Sequence, residues 1–381
     1  MEEDEEQGNS KEKEKPLDDH IDTKVYEDKV NIGHEENGTC EGLKTMEISP
    51  SSTCLPCEIP SCDVKVLEGL TSEVFACAWS PAGSFLASGS GDSTARIWSI
   101  TNGPCSTMQN GLLNIVLNHF RGRTNEKNKD VTTLDWNGDG TLLATGSYDN
   151  QARIWSRVGM LRSTLNKHKG PVFSLKWNKK GDNLPSGSMD KTAIVWAPTL
   201  DVDCLMLLCN LILDVFGVML QDEVNAVKWD PTVSFLASCS DDYTAKQDDH
   251  LHDLKEHTKE IYTIRWSPTG AGTNNPNHQL VLASASFDSS IKLWDVELGC
   301  LLYSLNGHRN IIYTIEFSPN GEYLASGSLD NWLYVWSVKE GRLIKSYYGG
   351  GGVTDISWNK SSDKIAVSFV NKLVCVLDLK M

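Results

Sequence analysis

Three triplets of side chains in this 381-residue chain have the composition of a hydrolytic site. They are His168, Ser186 and Asp190; His257, Ser284 and Asp288; and His308, Ser326 and Asp330. A histidine beside a hydroxyl, oriented by a carboxylate, is the arrangement that makes serine a nucleophile. Each triplet, however, is followed six residues after its aspartate by a tryptophan: Trp196, Trp294 and Trp336. One reaction needs one such set. Three sets at a recurring spacing indicate a repeated structural unit, so no catalytic residue is assigned.

Two other motifs invite chemistry. Cys54 and Cys57 are separated by two residues, with Cys62 and Cys40 nearby, the spacing of redox and zinc sites. A zinc site takes four ligands held by structure, and this stretch reads as linker, so incidental thiols, no metal and no cofactor are expected. Gly349–Gly352 forms a four-glycine run, but the Lys-Ser/Thr that completes a phosphate loop does not follow it.

The segment that carries each serine and aspartate shows which elements must position them. LASGSGDSTARIW (86–98) returns as LATGSYDNQARIW (143–155), LPSGSMDKTAIVW (184–196), LASASFDSSIKLW (282–294) and LASGSLDNWLYVW (324–336). A damaged copy, LASCSDDYTAK, lies at 236–246. Each reads as a strand, a turn at the aspartate and a second strand. Asp149 to Asp190 spans 41 residues, Asp242 to Asp288 46, and Asp288 to Asp330 42. That period, of roughly 40–45 residues with a tryptophan-ended strand, is the mark of four-stranded propeller blades. Trp79, Trp136, Trp177, Trp229, Trp266 and Trp358 close the first strand of a repeat, and Trp98, Trp155, Trp196, Trp294 and Trp336 the third.

Charge separates the chain into two parts. Residues 1–63 hold 18 acids and 6 bases, which is most of the net −16. They are polar and poor in aromatics, and cannot bury enough apolar surface to offset ordering, so a disordered acidic tail is expected over 1–63. The nearly balanced remainder, 64–381, has no basic bias to suit a phosphate backbone, which argues against direct nucleic-acid binding. No N-terminal signal peptide is visible, and eleven cysteines then read as reduced thiols of the cytosol or nucleus. The apolar run CLMLLCNLILDVFGVML (204–220) is short for a membrane span and contains Asn210 and Asp214. It is read as the remnant of a mostly lost blade, and no membrane association is expected.

Residues 64–381 therefore resemble WD-repeat β-propellers: an all-β ring of seven to eight blades, one damaged, preceded by the acidic tail. The resemblance implies that His168, Ser186, Asp190 and Trp196, with the two equivalent quartets, form a structural hydrogen-bond network. Three repeats depart from it. Leu70 stands at the first histidine position. Leu220 and Asp248 stand at the histidine and tryptophan positions of the damaged blade, whose third strand should be largely missing. Asn371 and Leu377 stand at the aspartate and tryptophan positions of the last repeat. Val64–Leu67 is expected to close the ring by supplying the outer strand of the last blade.

The wording of the repeats is closer to one family. KDVTTLDWN, HKGPVFSLKWNKKG, EVNAVKWDPT, EIYTIRWSPTG and the inserted GTNNPN (272–277) are similar to the transducin-beta-like F-box-like/WD-repeat corepressor subunits. That resemblance implies a nuclear, non-enzymatic adaptor. Its partners would be nuclear receptor corepressor and histone deacetylase subunits, histone tails, and ubiquitin-proteasome factors that exchange corepressors. The family's helical oligomerisation module and F-box-like segment are not visible in residues 1–63. Two alternatives follow: a substrate-receptor subunit of a ubiquitin ligase, or an interfering form that keeps the propeller contacts without the assembly module.

On the WD-repeat pattern, partners meet the face where the inner strands begin. The positions are the third and fifth residues after the histidine and the residue before the turn aspartate. They give Glu73, Phe75, Tyr148, Phe173, Met189, Glu260, Tyr262, Phe287, Tyr313 and Leu329, together with Gly91, Asp130, Thr132, Pro171 and Ile311. Glu223, Asn225 and Asp241 complete the set. It mixes aromatics with acids and holds no Lys or Arg, so a basic or arginine-bearing peptide is the expected ligand.

Overall fold

The computed structural model describes residues 57–100, 104, 114–119, 129–178, 180–190, 192–196, 224–232, 236–240, 242–247, 253–270 and 273–380. The described residues form seven sheets, antiparallel throughout except for one short parallel strand at the edge of blade 6. Blade 1 runs Val74–Trp79, Phe85–Ser90, Thr94–Ser99 and Asn114–Asn118. Blade 2 runs Val131–Trp136, Leu142–Ser147, Ala152–Ser156 and Leu161–Leu165. Blade 3 shows three strands, Val172–Leu175, Leu184–Ser188 and Ala193–Trp196. Blade 4 has Val224–Trp229, Leu236–Ser240, Ala245–Gln247 and Asp253–Leu254. Blade 5 has Ile261–Trp266, Val281–Ser286, Ser290–Asp295 and Cys300–Asn306. Blade 6 has Ile312–Phe317, Tyr323–Ser328, Trp332–Ser337 and Leu343–Tyr348. Blade 7 has Val353–Trp358, Lys364–Phe369 and Val374–Asp378, with Val64–Leu67 outermost.

The hairpin turns explain the repeated aspartate. In blade 1, Asp92 Oδ1 accepts the N–H of Thr94 at 3.0 Å while Ser93 takes a left-handed φ of 66°. Asn150, Ser289 and Asn331 hold the same conformation in blades 2, 5 and 6. A carboxylate that captures the backbone N–H two residues on offsets the strain of that left-handed residue. The small residue of the LASGS segment has a different cause. A Cβ on Gly327 would lie 2.2 Å from Val353 Cγ1, and one on Gly89 would lie 2.9 Å from Val131 Cγ1. The inner strand of the following blade packs directly onto these glycines.

The core is accordingly shared between blades rather than enclosed by any one. Ala325, Leu333 and Val335 of blade 6 are buried against Val353, Ile356, Val367 and Phe369 of blade 7. A single hairpin could not bury both faces, so each blade depends on its neighbours. Closure occurs in blade 7, where Val64 lies opposite Leu377 and Leu67 opposite Val374.

Two expectations change. Folded elements begin at Cys57 rather than at residue 64. Cys57–Glu58 pairs in parallel with Leu343–Tyr348 of blade 6, Ile59 is buried in the core between blades 6 and 7, and Asp63 pairs with Lys380. The damaged blade keeps a third strand, because backbone pairing survives without the tryptophan. Ala237 faces Gln247, which leaves residue 248 at the tryptophan position. Seven sheets are present among the described residues, and the proposed blade remnant at 204–220 lies outside them, as do Leu220 and residues 1–56.

Candidate interaction face and central channel

The turn aspartates mark one face of the ring, here called the top, and the tryptophan ends of the hairpins mark the bottom. In blade 3, His168 Nδ1 lies 3.0 Å from Asp190 Oδ2 and its Nε2 lies 2.8 Å from Ser186 Oγ. Trp196 Nε1 donates to the same Ser186 Oγ at 2.8 Å. Blade 5 repeats this with His257 to Asp288 (2.9 Å), His257 to Ser284 (2.8 Å) and Trp294 to Ser284 (2.9 Å). Blade 6 does so with His308 to Asp330 (3.0 Å), His308 to Ser326 (2.8 Å) and Trp336 to Ser326 (2.9 Å). Burial pushes the three carboxyls up, but hydrogen bonds outweigh it and hold all three below the usual carboxylate range. The donors are Thr192, Lys169 N–H and His168 at Asp190, and the histidines together with backbone N–H groups at Asp288 and Asp330.

The proton chain runs Trp to Ser to His to Asp, so each donor finds an acceptor. Each serine is occupied by an indole N–H and buried (3%, 0% and 0% exposed). A hydroxyl with no approach for a substrate is not a nucleophile. The three sets are rivets joining the strands of a blade.

A fourth network was not recognised in the sequence. In blade 2, His119 Nε2 lies 2.9 Å from Thr145 Oγ1, and Trp155 Nε1 donates to that hydroxyl at 2.9 Å. Arg153 stands between His119 and Asp149, at 2.9 Å from His119 Nδ1 and paired with Asp149 at 2.7 Å. Burial and then the Arg153 charge lower His119 to about 3, so the ring is neutral. The signal was present: threonine replaces serine in LATGS, and an inserted loop separates His119 from its strand. In blade 1, where Leu70 replaces histidine, Asp92 still accepts Thr71 N–H at 3.0 Å. Arg96 donates to Gly69 O at 2.5 Å and covers Trp98 at 5.7 Å. In blade 7 the histidine position falls on Gly349. A Cβ there would sit 2.0 Å from the Phe369 ring, and Asn371 Nδ2 donates to Gly349 O at 3.0 Å. The glycine run is thus shaped by an aromatic ring.

The rim positions lie together on the top. Tyr148 N–H donates to Asp130 O (3.0 Å), Met189 to Pro171 (2.9 Å), Phe287 to Glu260 (3.0 Å) and Leu329 to Ile311 (3.1 Å). Two aromatic clusters result. Tyr148 meets Phe173 edge-on at 5.5 Å, and both are exposed. Tyr262 stacks on Phe287 at 5.9 Å and meets Tyr313 at 5.2 Å. Met189 is exposed by 67%. Glu73 is exposed and Glu260 half-buried. Burial and then the Glu73 charge raise the Asp130 carboxyl, so two acids share the blade 1–2 side of the rim. Phe75 packs against Gly91, and Leu329 lies beneath Gly352, so both are half-buried. Glu223, Asp241 and the side chain of Asn225 lie outside the described residues.

The central channel forms a second site that the sequence reading passed over. The residue before the aromatic that ends, or in blade 3 follows, each inner strand is Ala78, Asp135, Lys176, Lys228, Arg265, Glu316 and Ser357 in turn. Several of these clasp the next blade. Trp177 N–H donates to Asp135 Oδ2 at 2.8 Å, Trp358 N–H to Glu316 Oε2 at 3.0 Å, and Trp79 N–H to Ser357 Oγ at 3.2 Å. Asp355 accepts Cys77 N–H at 2.8 Å. Inner strands are edge strands, and these side chains satisfy their free N–H groups. Burial pushes Glu316 up to about 8, helped by Asp355, and pushes Asp355 up to about 6.

Of the motif cysteines, Cys57 and Cys62 are exposed and free, and Cys40 and Cys54 are not described. Among the described residues no group of three or more His, Cys, Asp or Glu could hold a metal. Among them, too, no helix is long and apolar enough to cross a membrane.

The WD domain, G-beta repeat model matches residues 61–99, 116–156, 159–197, 218–247, 248–295 and 299–337. The F-box-like/WD repeat-containing protein TBL1X of Mus musculus is 46% identical over 92% of this chain and 73% of its own length. The chain belongs to the transducin-beta-like F-box-like/WD-repeat family. The WD40 repeat-containing protein HOS15 of Arabidopsis thaliana is 53% identical over 89% of this chain, which spans 62% of that relative. Among solved structures, the C-terminal WD40 domain of Sif2 superposes with a TM-score of 0.66 at 21% identity, covering 85% of this chain and 99% of that one. This family member is a WD-repeat β-propeller.

Proposed function

We propose that this chain is a nuclear adaptor whose top face receives a basic, arginine-bearing peptide segment. It joins nuclear receptor corepressor and histone deacetylase subunits, takes histone tails among its ligands, and links them to ubiquitin-proteasome factors. The observation that carries this reading is the pair of aromatic clusters on the rim, Tyr148–Phe173 and Tyr262–Phe287–Tyr313, set beside Glu73, Asp130 and Glu260. No described rim position is Lys or Arg. A planar guanidinium stacks on such rings and pairs with carboxylates, and aromatic anchors carry most of an interface's binding energy. A bound cation would also relieve the repulsion between Glu73 and Asp130. The membership of this chain in a family with F-box-like/WD-repeat relatives favours the corepressor setting.

The test is fluorescence anisotropy with a labelled histone H4 tail peptide, paired with affinity capture of the full chain from nuclear extract. Tyr262→Ala should weaken peptide binding roughly 30-fold, the effect of a hot-spot residue. Equal binding by parent and variant would overturn the rim assignment. Deacetylase and corepressor subunits in the eluate support the adaptor role, whereas ligase subunits without them would replace it with substrate reception.

A further inference from the structure

The bottom mouth of the central channel carries its charges in two arcs. Lys176, Lys228 and Arg265 come from consecutive blades 3, 4 and 5, each immediately before the tryptophan of its repeat. Lys228 and Arg265 lie one residue before the end of their inner strands and Lys176 just past the end of its own. Glu316 and Asp355 face them from blades 6 and 7. Trp266 Nε1 donates to Lys228 O at 2.8 Å, which seats Arg265 beside Lys228 on adjoining inner strands, and Lys176 and Arg265 both act electrostatically on the two carboxyls.

The acids and bases do not simply neutralise one another. Asp135 takes Lys176 Nζ at 2.8 Å. Glu316 and Asp355 are turned to backbone N–H groups of Trp358 and Cys77. Arg265 Nη1 reaches only its own strand, at Thr263 Oγ1 and Ile264 O. Lys228 keeps part of its surface exposed while its ammonium end is set among the channel groups. Burial, and then the charges of Arg265 and Lys176, lower it to about 8, with Cys239 opposing. Three like charges thus converge with one of them paired.

We propose that this basic arc binds a phosphate group, with Lys228 and Arg265 as its principal contacts and Lys176 as a third charge at the edge. A guanidinium offers phosphate a bidentate fork and the ammonium adds a point charge. Because burial holds Glu316 near 8, it carries little charge at neutral pH and repels the anion weakly. The site lies at the opposite end of the channel from the aromatic rim and is independent of the peptide-binding reading.

Isothermal titration of the full chain with inorganic phosphate, at low ionic strength with chloride matched, tests it. Saturable binding is expected, weakened at least about tenfold by Lys228→Gln or Arg265→Gln and retained by Lys228→Arg. Lys360→Gln, on the exposed turn of blade 7, should bind as the parent does. Absence of saturable heat, equal affinity in Lys228→Gln and parent, or an equal loss in Lys360→Gln would overturn the proposal. A second readout needs no variant. Phosphate is already doubly charged above pH about 8. Affinity should therefore fall beyond that pH as Lys228 loses its proton and Glu316 gains charge; a flat profile would refute the assignment. Competition by an N-acetylated, amidated Gly-phosphoserine-Gly peptide would identify the source as a phosphorylated side chain. Binding of inorganic phosphate without such competition would identify a free anion.

Discussion

Ser326 and Ser88 occupy the same place in their blades but hold different numbers of partners. Ser326 Oγ is shared by His308 Nε2 and Trp336 Nε1, and the three side chains are 0%, 8% and 1% exposed as residues. Ser88 Oγ holds only Trp98 Nε1, at 2.9 Å, because Leu70 replaces the histidine. Ser326→Ala strands a buried donor and a buried acceptor, each costing about 1–3 kcal/mol, for a loss of about 2–6 kcal/mol. Ser88→Ala strands one donor and should cost about 1–3 kcal/mol. Equilibrium urea unfolding, followed by tryptophan fluorescence, measures both against the parent. The decisive quantity is the difference, since the volume removed is the same. Equal losses in the two variants, or a loss below about 1 kcal/mol in Ser326→Ala, would show that the histidine is not part of a stabilising chain.

Glu316 sets the sign of a pH effect: a carboxyl raised to about 8 in the folded state lends stability at low pH that is lost as pH rises through that value. Glu316→Gln should therefore flatten the fall in the urea midpoint between pH about 5.5 and about 7.5, by up to about 1 kcal/mol per pH unit, discounted from the full 1.4 because the residue keeps partial access to channel water. An unchanged slope would contradict the burial of its carboxyl. Gly349→Ala drives a methyl group into the Phe369 ring and should cost about 1–3 kcal/mol by overpacking, checked by thermal unfolding. Phe173→Ala leaves the fold intact, since the ring is exposed, but should weaken binding of the basic peptide about tenfold in the anisotropy assay.

The architecture was legible because it is written in local chemistry repeated many times. An aspartate that caps its own turn, a glycine that admits the next blade and a tryptophan that ends each strand need no long-range information, so blade positions and the strand Val64–Leu67 could be read directly. The fourth histidine network was not legible, since its insertion hid the spacing between His119 and Thr145. Nor was the fifth strand at Cys57–Glu58, whose two residues carry no period.

The candidate sites divide in the same way. Repeat spacing alone determined which residues share the rim, because equivalent positions in equivalent blades must fall on one circle. Which aromatics touch, and that Leu329 and Phe75 are partly covered by glycine loops, depended on how neighbouring blades meet. The channel was decided by tertiary structure alone. Lys176 and Asp355 are 179 positions apart in sequence, and only closing the ring brings their charges within reach across low-dielectric walls, where Lys176 draws the Asp355 carboxyl down against the upward push of burial.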